Sequence, residues 1–393
     1  MASNNLPLDG ITVISLEHAI AAPLATRHLA DLGARVIKIE RPGVGDFARA
    51  YDRRVNGQAS HFVWVNRSKE SLTLDLKKPQ ARDVLDRLLE QADVLVQNLA
   101  PGAAQRMGLG YETLSPRCPK LVVCDISGYG DGGPYTDKKA YDLLIQSESG
   151  FLSVTGTPNE MAKSGISVAD IAAGMYAYSG ILAALLQRAK TGQGRRVEVA
   201  MIDAMAEWMS FPLYYTHNGQ DAPPRAGAAH ATIYPYGPFT AGDGRVVMLG
   251  LQNEREWKVF CDKVLCKPEL AALPRFVDNA ARTHNRAELR QLIETEFAAL
   301  TADALIERLD EAGIANAHVN SMADLWQHPQ LTARKRWCTV DSPAGPIPAL
   351  LPPGSDATNA PRMSAIPALG QHTDSILAEF GFDSARLRAA GAV

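Results

Sequence analysis

Asp170 stands in the string GISVADIAAG, at the mouth of a long Ala-rich run. A carboxylate in that place is the usual helix N-cap. It is equally a side chain able to act as a nucleophile. Tyr141-Asp142 offers a phenol beside a second acid, read either as a pocket-closing pair or as a buried Tyr with a helix-start Asp. Other chemistries lack their signatures. No GxGxxG follows a strand and opens a helix; Gly43-Val44-Gly45 follows a strand, but Asp46-Phe47-Ala48-Arg49 completes a different pattern. There is no Walker A sequence and no GxSxG elbow. The nine histidines show no metal-ligand spacing, so single ones such as His61 or His217 read as structural. Gly130–Gly133, followed by Pro134, reads most simply as a turn. The five cysteines are odd in number and form no CxxC pair, which argues against a disulfide frame or structural zinc.

The elements that must position Asp170 and Tyr141 alternate. Ile11–Leu16, Arg35–Ile39, Ser71–Leu76, Asp93–Gln97 and Leu121–Ile126 read as strands. Pro23–Leu32 and Pro79–Ala92 read as helices, the first with Pro near its start and Gly33 at its end. This order predicts an α/β fold with an open, mostly parallel sheet and helices on both faces. Ile171–Lys190 is the longest helical stretch; TGQG ends it and RRVEVAM follows as a strand. Pro212–Arg225 looks like a connection, with Pro223-Pro224 as a break. The next stretch carries a strand at Arg245–Leu251, helices at Glu254–Lys263, Arg286–Leu300 and Ala302–Ala312, and a strand at Ala315–Asn320. A Pro-rich stretch around Pro343–Pro361 leads to a last helix at Thr373–Phe380.

The chain has 393 residues, which at about 150 per domain suggests two or three domains. With 46% hydrophobic and 21% charged residues, it can bury a sizeable core. Lys+Arg is 40 against Asp+Glu 43, a formal net charge of −3, which argues against a nucleic-acid partner. No uninterrupted apolar run approaches the roughly 18 residues of a membrane span. MASNNLPLDG has no basic or apolar leader character, so a cytoplasmic location is expected.

Several strings together carry a resemblance. They are Ala22-Pro23; Val36–Gly43 (VIKIERPG) with Gly45-Asp46; Asn66–Lys69 leading into Leu72–Asp75; Asn98–Gly102 with Arg106-Met107-Gly108; Ser127–Gly130 with Gly133-Pro134-Tyr135; and Tyr141-Asp142 with Gly150. Asp170, Gly174, Gly180, Thr191–Gly194, Asp203-Ala204, Gly370 and His372-Thr373 complete the set. The chain resembles the class III coenzyme A transferases, a group that includes formyl-CoA transferase, carnitine CoA transferase and, as an isomerase branch, α-methylacyl-CoA racemase. The resemblance implies a Rossmann-like large domain built from residues 1–212 and a return segment 328–393, a small α+β domain at 213–327, and an interlocked, ring-shaped homodimer. It implies acyl-CoA and a free carboxylic acid as substrates, with no metal and no permanently bound cofactor.

The resemblance places the nucleophile at Asp170. Its carboxylate would attack the acyl-CoA carbonyl, giving a mixed anhydride and CoA thiolate. The thiolate would then form an aspartyl thioester for the acceptor acid to open. Backbone N–H groups of Ala172 and Ala173 would accompany the site. Where the racemase branch has a His, this chain has Tyr141, a poor base near neutrality, which favours transfer; Asp142 would position the acyl group or polarise a neighbour. For CoA the resemblance points to His18 and Ala19 near the thioester arm, Arg41 and Arg106 for phosphates, Asn98 and Leu99 near the adenine end with Leu74 and Leu76 as neighbours, Met107 as an apolar wall, and Lys139 just before the Tyr-Asp pair.

Two departures bear on the substrate. The formyl-CoA transferase branch has Gln where Ile20 stands, and a glycine-rich lid where this chain has Arg225–Thr232 (RAGAAHAT). The string His61–Glu70 looks more like the branch that uses succinyl-CoA and C4–C6 dicarboxylates such as itaconate, mesaconate, citramalate or glutarate. Arg49, Arg53, Arg54, Arg225 and His230 are candidates for the acid's free end. An acyl-CoA racemase and an inactive acyl-CoA-binding protein are the competing readings.

Overall fold

The protein is described from a computed structural model covering residues 6–356 and 358–393. The chain divides into two compact units. The first comprises the chain up to Gly150, Ser164–Ser210 and Leu331–Val393; the second comprises Phe151–Lys163 and Phe211–Gln330.

The first unit is built on six parallel strands: β1 (Thr12–Leu16), β2 (Arg35–Glu40), β3 (Lys69–Thr73), β4 (Val94–Gln97), β5 (Val122–Ser127) and β6 (Arg196–Ala200). Their order is β3-β2-β1-β4-β5-β6, so the order reverses between β1 and β4. The β-branched runs anticipated by the alternation form this sheet, and the helices between them make the parallel crossovers possible. α1 (Ala21–Asp31) joins β1 to β2, and α2 (Pro79–Leu89) joins β3 to β4. One face of the sheet presents Ile14, Leu16, Ile37, Ile39, Leu72, Leu95 and Val123 to the apolar side of α2, forming the main core. The opposite face is different: Ser15, Lys38 and Ser71 stand in register across β1, β2 and β3. Two further helices are α3 (Asp142–Glu148) and α4 (Val168–Thr191). By length and composition α4 could cross a membrane, at 24 residues and mean hydropathy 1.4. It packs on α1, β5 and β6, which buries 39% of that apolar stretch.

The return segment reaches the sheet edge at β3, where Ser71 N donates to His372 Nδ1 and Thr73 N to Thr373 Oγ1, both at 3.1 Å. A helix over Thr373–Glu379 starts there. The Pro-rich stretch also carries a two-stranded hairpin, Trp337–Val340 with Ile347–Leu350, absent from the sequence reading.

In the second unit β7 (Tyr236–Thr240), β8 (Val246–Gly250) and β9 (Ala315–His318) form an antiparallel sheet in that order. β7 is an edge strand, which is why it tolerates Gly237 and Pro238 and escaped notice in the sequence. α5 (Arg286–Phe297) and α6 (Ala302–Ala312) cover a core of Phe239, Trp257, Phe260, Phe276, Ile293 and Leu309.

Candidate active site

In an open parallel sheet, the crevice for a ligand lies beyond the carboxyl ends of the strands where the order reverses. Here that point is bounded by His18-Ala19 after β1 and Asn98 after β4. The Asn98 side chain joins the two: its Oδ1 accepts from His18 N and its Nδ2 donates to His18 O, both at 2.9 Å. From the end of β2, Asp46 Oδ1 accepts from Ala19 N at 3.2 Å. Between these anchors Ala19 adopts φ +60°. A left-handed alanine costs about 1–3 kcal/mol and persists only where its surroundings over-determine it. The His18 ring stacks on Phe47 at 5.3 Å, and its Nδ1 is buried, 3.8 Å from Asp46 Oδ1 and outside hydrogen-bond reach.

α4, which carries Asp170, packs on α1. A Cβ on Gly174 would lie 2.7 Å from the Ala21 carbonyl oxygen, so the absence of a side chain lets α4 touch the start of α1. One turn later the Tyr178 ring meets His28, centroids 5.2 Å apart. The two helices therefore run side by side in the same direction. Asp170 lies four residues before Gly174 on the same face, and its charge, with that of Asp46 from beside the turn, is felt by Tyr51.

Asp170 is not the cap that its place in the sequence suggested. α4 begins at Val168, with Ser167 at the N-cap, and Asp170 sits in the first turn. Asp142, the first residue of α3, takes the capping role from another element. Its Oδ1 accepts from Ala169 N (2.8 Å) and Asp170 N (3.1 Å), and its Oδ2 from Gln146 Nε2 (2.7 Å). The helix-end donors of Ala169 and Asp170 are thus already bound by Asp142. Ala172 and Ala173, expected to line the site, are buried inside the helix. Burial, then the neighbouring Asp142 carboxylate, push the half-buried Asp170 up to about 7. A helix N-terminus pulls the other way, and burial wins. Tyr141 is 68% exposed at the start of α3. Tyr51 belongs to the same group: burial first, then the charges of Asp46 and Asp170, push its phenol up to about 12.

Several expected residues are placed elsewhere. Leu74 is 1% exposed within the main core, and Ile20 is 4% exposed, so neither side chain is open to solvent. Leu99 and Met107 pack on the same core, as does Leu76, and the Met107 carbonyl takes a hydrogen bond from Arg82. Asn98 builds the His18 turn rather than standing free for adenine. Arg49 is held by Glu40 through two bonds of 2.8 Å, lies 3.7 Å from the Phe62 ring centroid and reaches the Pro367 carbonyl, which makes it a structural cation. In the second unit, Arg225 donates to the carbonyls of Thr157 and Pro158, and His230 Nδ1 accepts from Thr232 N and Ile233 N while stacking on Tyr236. Arg225 thus ties its loop to the Thr157–Pro158 segment, and His230 shapes its own turn. Arg41, Arg106 and Lys139 are exposed; Arg41 follows β2, Arg106 closes a short helix after β4, and Lys139 lies between β5 and α3.

The sequence reading missed the ionic face beneath the turn. Lys38 Nζ meets Asp46 Oδ2 at 2.8 Å and Glu17 Oε1 at 3.4 Å; Lys69 Nζ meets Glu17 Oε1 at 2.6 Å, Pro23 O at 2.9 Å and Asn66 Oδ1 at 3.1 Å. Burial alone would raise Asp46, but Lys38 and its hydrogen bonds hold it well below the usual carboxylate range. For Lys69 burial outweighs Glu17 and pulls it down to about 7. The signal was present in RVIKIE. Charges at alternate positions of a strand buried on both faces must meet partners inside.

Comparison with known proteins bears on what such a site does. CoA-transferase family III matches residues 8–373. The human succinyl-CoA:glutarate CoA-transferase is 33% identical over 383 residues, 96% of this chain and 86% of that protein. The acetyl-CoA:oxalate CoA-transferase of Acetobacter aceti is 36% identical over 330 residues, 84% of each chain. A CaiB/BaiF family protein from Brucella suis superposes with a TM-score of 0.83 at 34% identity, covering 96% of this chain and 100% of that one. The chain belongs to CoA-transferase family III. It is a CoA-transferase, an enzyme class that takes a CoA thioester as substrate and needs no permanently bound cofactor.

Proposed function

We propose that the enzyme moves CoA from succinyl-CoA to a dicarboxylic acid of about glutarate size, with Asp170 as the covalent carrier. The observation that supports the reading is the contact of α4 with the start of α1, Gly174 against the Ala21 carbonyl, four residues beyond an Asp170 whose carboxyl burial pushes up to about 7. The relatives act on glutarate and on oxalate, both dicarboxylates. The longer match, across 96% of this chain, is to the succinyl-CoA-dependent one. In the proposed cycle an Asp170 oxygen bonds to the acyl carbon as the thioester C–S bond breaks. CoA thiolate next attacks the Asp170 carbonyl and expels the donor acid. The acceptor carboxylate then opens the aspartyl thioester, and the thiolate returns to complete the new acyl-CoA. Tyr141 closes the acyl pocket and disfavours racemisation. Arg41, Arg106 and Lys139 meet the CoA phosphates.

We further infer a homodimer. Phe211, Leu213 and Tyr214 are 57%, 59% and 80% exposed in a single chain, and a second copy would cover such a group. Light scattering should give about twice the 42.4 kDa of one chain.

The decisive experiment incubates the protein with succinyl-CoA alone and weighs it intact. A gain of one CoA less one water, as an aspartyl thioester requires, lost with Asp170→Asn, is expected, together with a fall in turnover of about 10⁴-fold or more. A matrix of succinyl-CoA and acetyl-CoA against mono- and dicarboxylates then identifies the pair. Full activity in Asp170→Asn overturns the reading, and deuterium entering the α-carbon of a 2-methylacyl-CoA would establish a racemase instead.

A further inference from the structure

The string Gly45-Asp46 has no part in the cycle above, yet Asp46 is fully buried beside it. Its two oxygens do different things. Oδ1 accepts from Ala19 N (3.2 Å) and from Ala48 N (2.9 Å), and Oδ2 accepts from Lys38 Nζ (2.8 Å). The first bond holds the left-handed Ala19. The second caps the short turn Phe47–Ala50, whose Phe47 ring stacks on His18. The third ties both to the ionic face of the sheet. Gly45, at φ +67°, delivers Asp46 there, and Asp46 N is itself fixed by Glu40 Oε2 at 3.0 Å.

We infer that Asp46 is a positioning residue of the transfer site, holding the His18–Ala19 turn in its left-handed shape beside Asp170. A carboxylate is the group this place requires. An Asn could offer its oxygen either to the two N–H groups or to Lys38. In either orientation its NH₂ would face a donor. An alanine in the left-handed region needs such an outside anchor, whereas glycine does not. The inference therefore predicts a specific rescue.

The inference rests on Asp170 as the covalent carrier, and one experiment separates the two ideas. The rate of CoA mass gain from succinyl-CoA is followed in the full-length protein, well below the melting temperature of each variant. Asp46→Asn should slow the gain by about 10–100-fold at saturating succinyl-CoA, because misplacement of a reacting group acts on the chemical step. Adding Ala19→Gly to Asp46→Asn should restore at least about a third of the lost logarithm of rate, because glycine keeps the turn without the anchor. Should Asp46→Asn fail to fold, Ala19→Val alone must reproduce the slowing, since a β-branched side chain resists φ near +60°. Wild-type protein that never acquires the CoA mass overturns the carrier role of Asp170. Wild type that acquires it while a folded Asp46→Asn does so equally fast overturns the role of Asp46, as does a loss that Ala19→Gly leaves untouched, or, where Asp46→Asn does not fold, an Ala19→Val as fast as wild type.

Discussion

The interiors of the two units differ in kind. Beneath the switch point, the first unit buries Glu17, Lys38, Glu40, Asp46 and Lys69, most of them touching at least two others or a backbone group. The second unit is filled with aromatic and aliphatic side chains, and among its described residues Arg282 is the buried charge. Arg282 donates to Glu254, which is 47% exposed and so reaches water. Buried ion pairs add little stability over apolar packing of the same shape, and removing one partner is severe. The first unit therefore keeps its ions for what they hold in place, whereas the second shows how this chain packs when stability alone is at stake.

The largest expected effect tests that contrast directly. Lys38→Met leaves Asp46 buried without its cation and should lower unfolding free energy by about 3–5 kcal/mol. Arg282→Met strips hydrogen bonds from a Glu that can turn to solvent and from the carbonyls of Tyr234 and Phe276, with no carboxylate left buried, and should cost about 1–3 kcal/mol. Chemical denaturation of both variants measures this. Equal costs would remove the distinction between the two interiors. Only the first variant should also slow transfer when assayed while still folded.

A smaller effect separates packing from chemistry within α4. A methyl group at Gly174 meets the Ala21 carbonyl oxygen at 2.7 Å, a backbone atom, whereas one at Gly180 meets the Val197 Cγ1 atom at 2.7 Å, the end of a side chain. Gly174→Ala should destabilise by about 1–3 kcal/mol and lower kcat, because α4 must move and Asp170 moves with it. At Gly180 the gain in helix propensity, about 1 kcal/mol, offsets the contact and kcat should hold. Thermal melts and turnover on the same two proteins decide the matter, and a Gly174→Ala of unchanged kcat would mean that Asp170 tolerates displacement.

What the sequence disclosed follows from the same contrast. The parallel sheet and α4 were legible because β-branched runs and a long Ala-rich stretch announce themselves by local pattern. TGQG was read as the stop of α4, and Gly192 does cap it at φ +72°. The seat of Asp170 was legible only to within a turn. A residue can be seen to lie near a helix start, but Ser167 and Asp142, the latter 28 positions away, decide where the helix begins and who caps it. The surroundings of Arg49, Leu74 and Ile20 were not legible for a related reason: sequence shows that a cation or an apolar side chain is present and not which partner, Glu40 or the core, its side chain meets. The edge strand β7 and the hairpin at Trp337–Leu350 hid behind prolines.

The smallest shift concerns Asp142, and it sharpens the comparison at the one place where burial and charge act on the same group. Burial is the larger cause of the raised Asp170 and the Asp142 carboxylate the second. A nucleophile must be ionised, so the rate of CoA mass gain should fall as pH drops through about 7. In Asp142→Asn an oxygen remains to accept from Ala169 N and Asp170 N while the charge is gone. The acid limb should then move down by less than about one pH unit, with the melting temperature lowered because the new NH₂ faces the donor Gln146 Nε2. The same raised group carries a stability signature of known sign. Between the ordinary carboxylate range and about 7 the folded protein holds a proton that the unfolded chain has released, so this carboxyl opposes folding more and more as pH rises across that window. Asp170→Asn should accordingly melt higher than wild type at pH 8 and alike at pH 4. A limb that stays put in Asp142→Asn would leave burial as the sole cause, and a limb that moves by two units would make the neighbouring carboxylate, not the protein interior, the element that tunes the nucleophile.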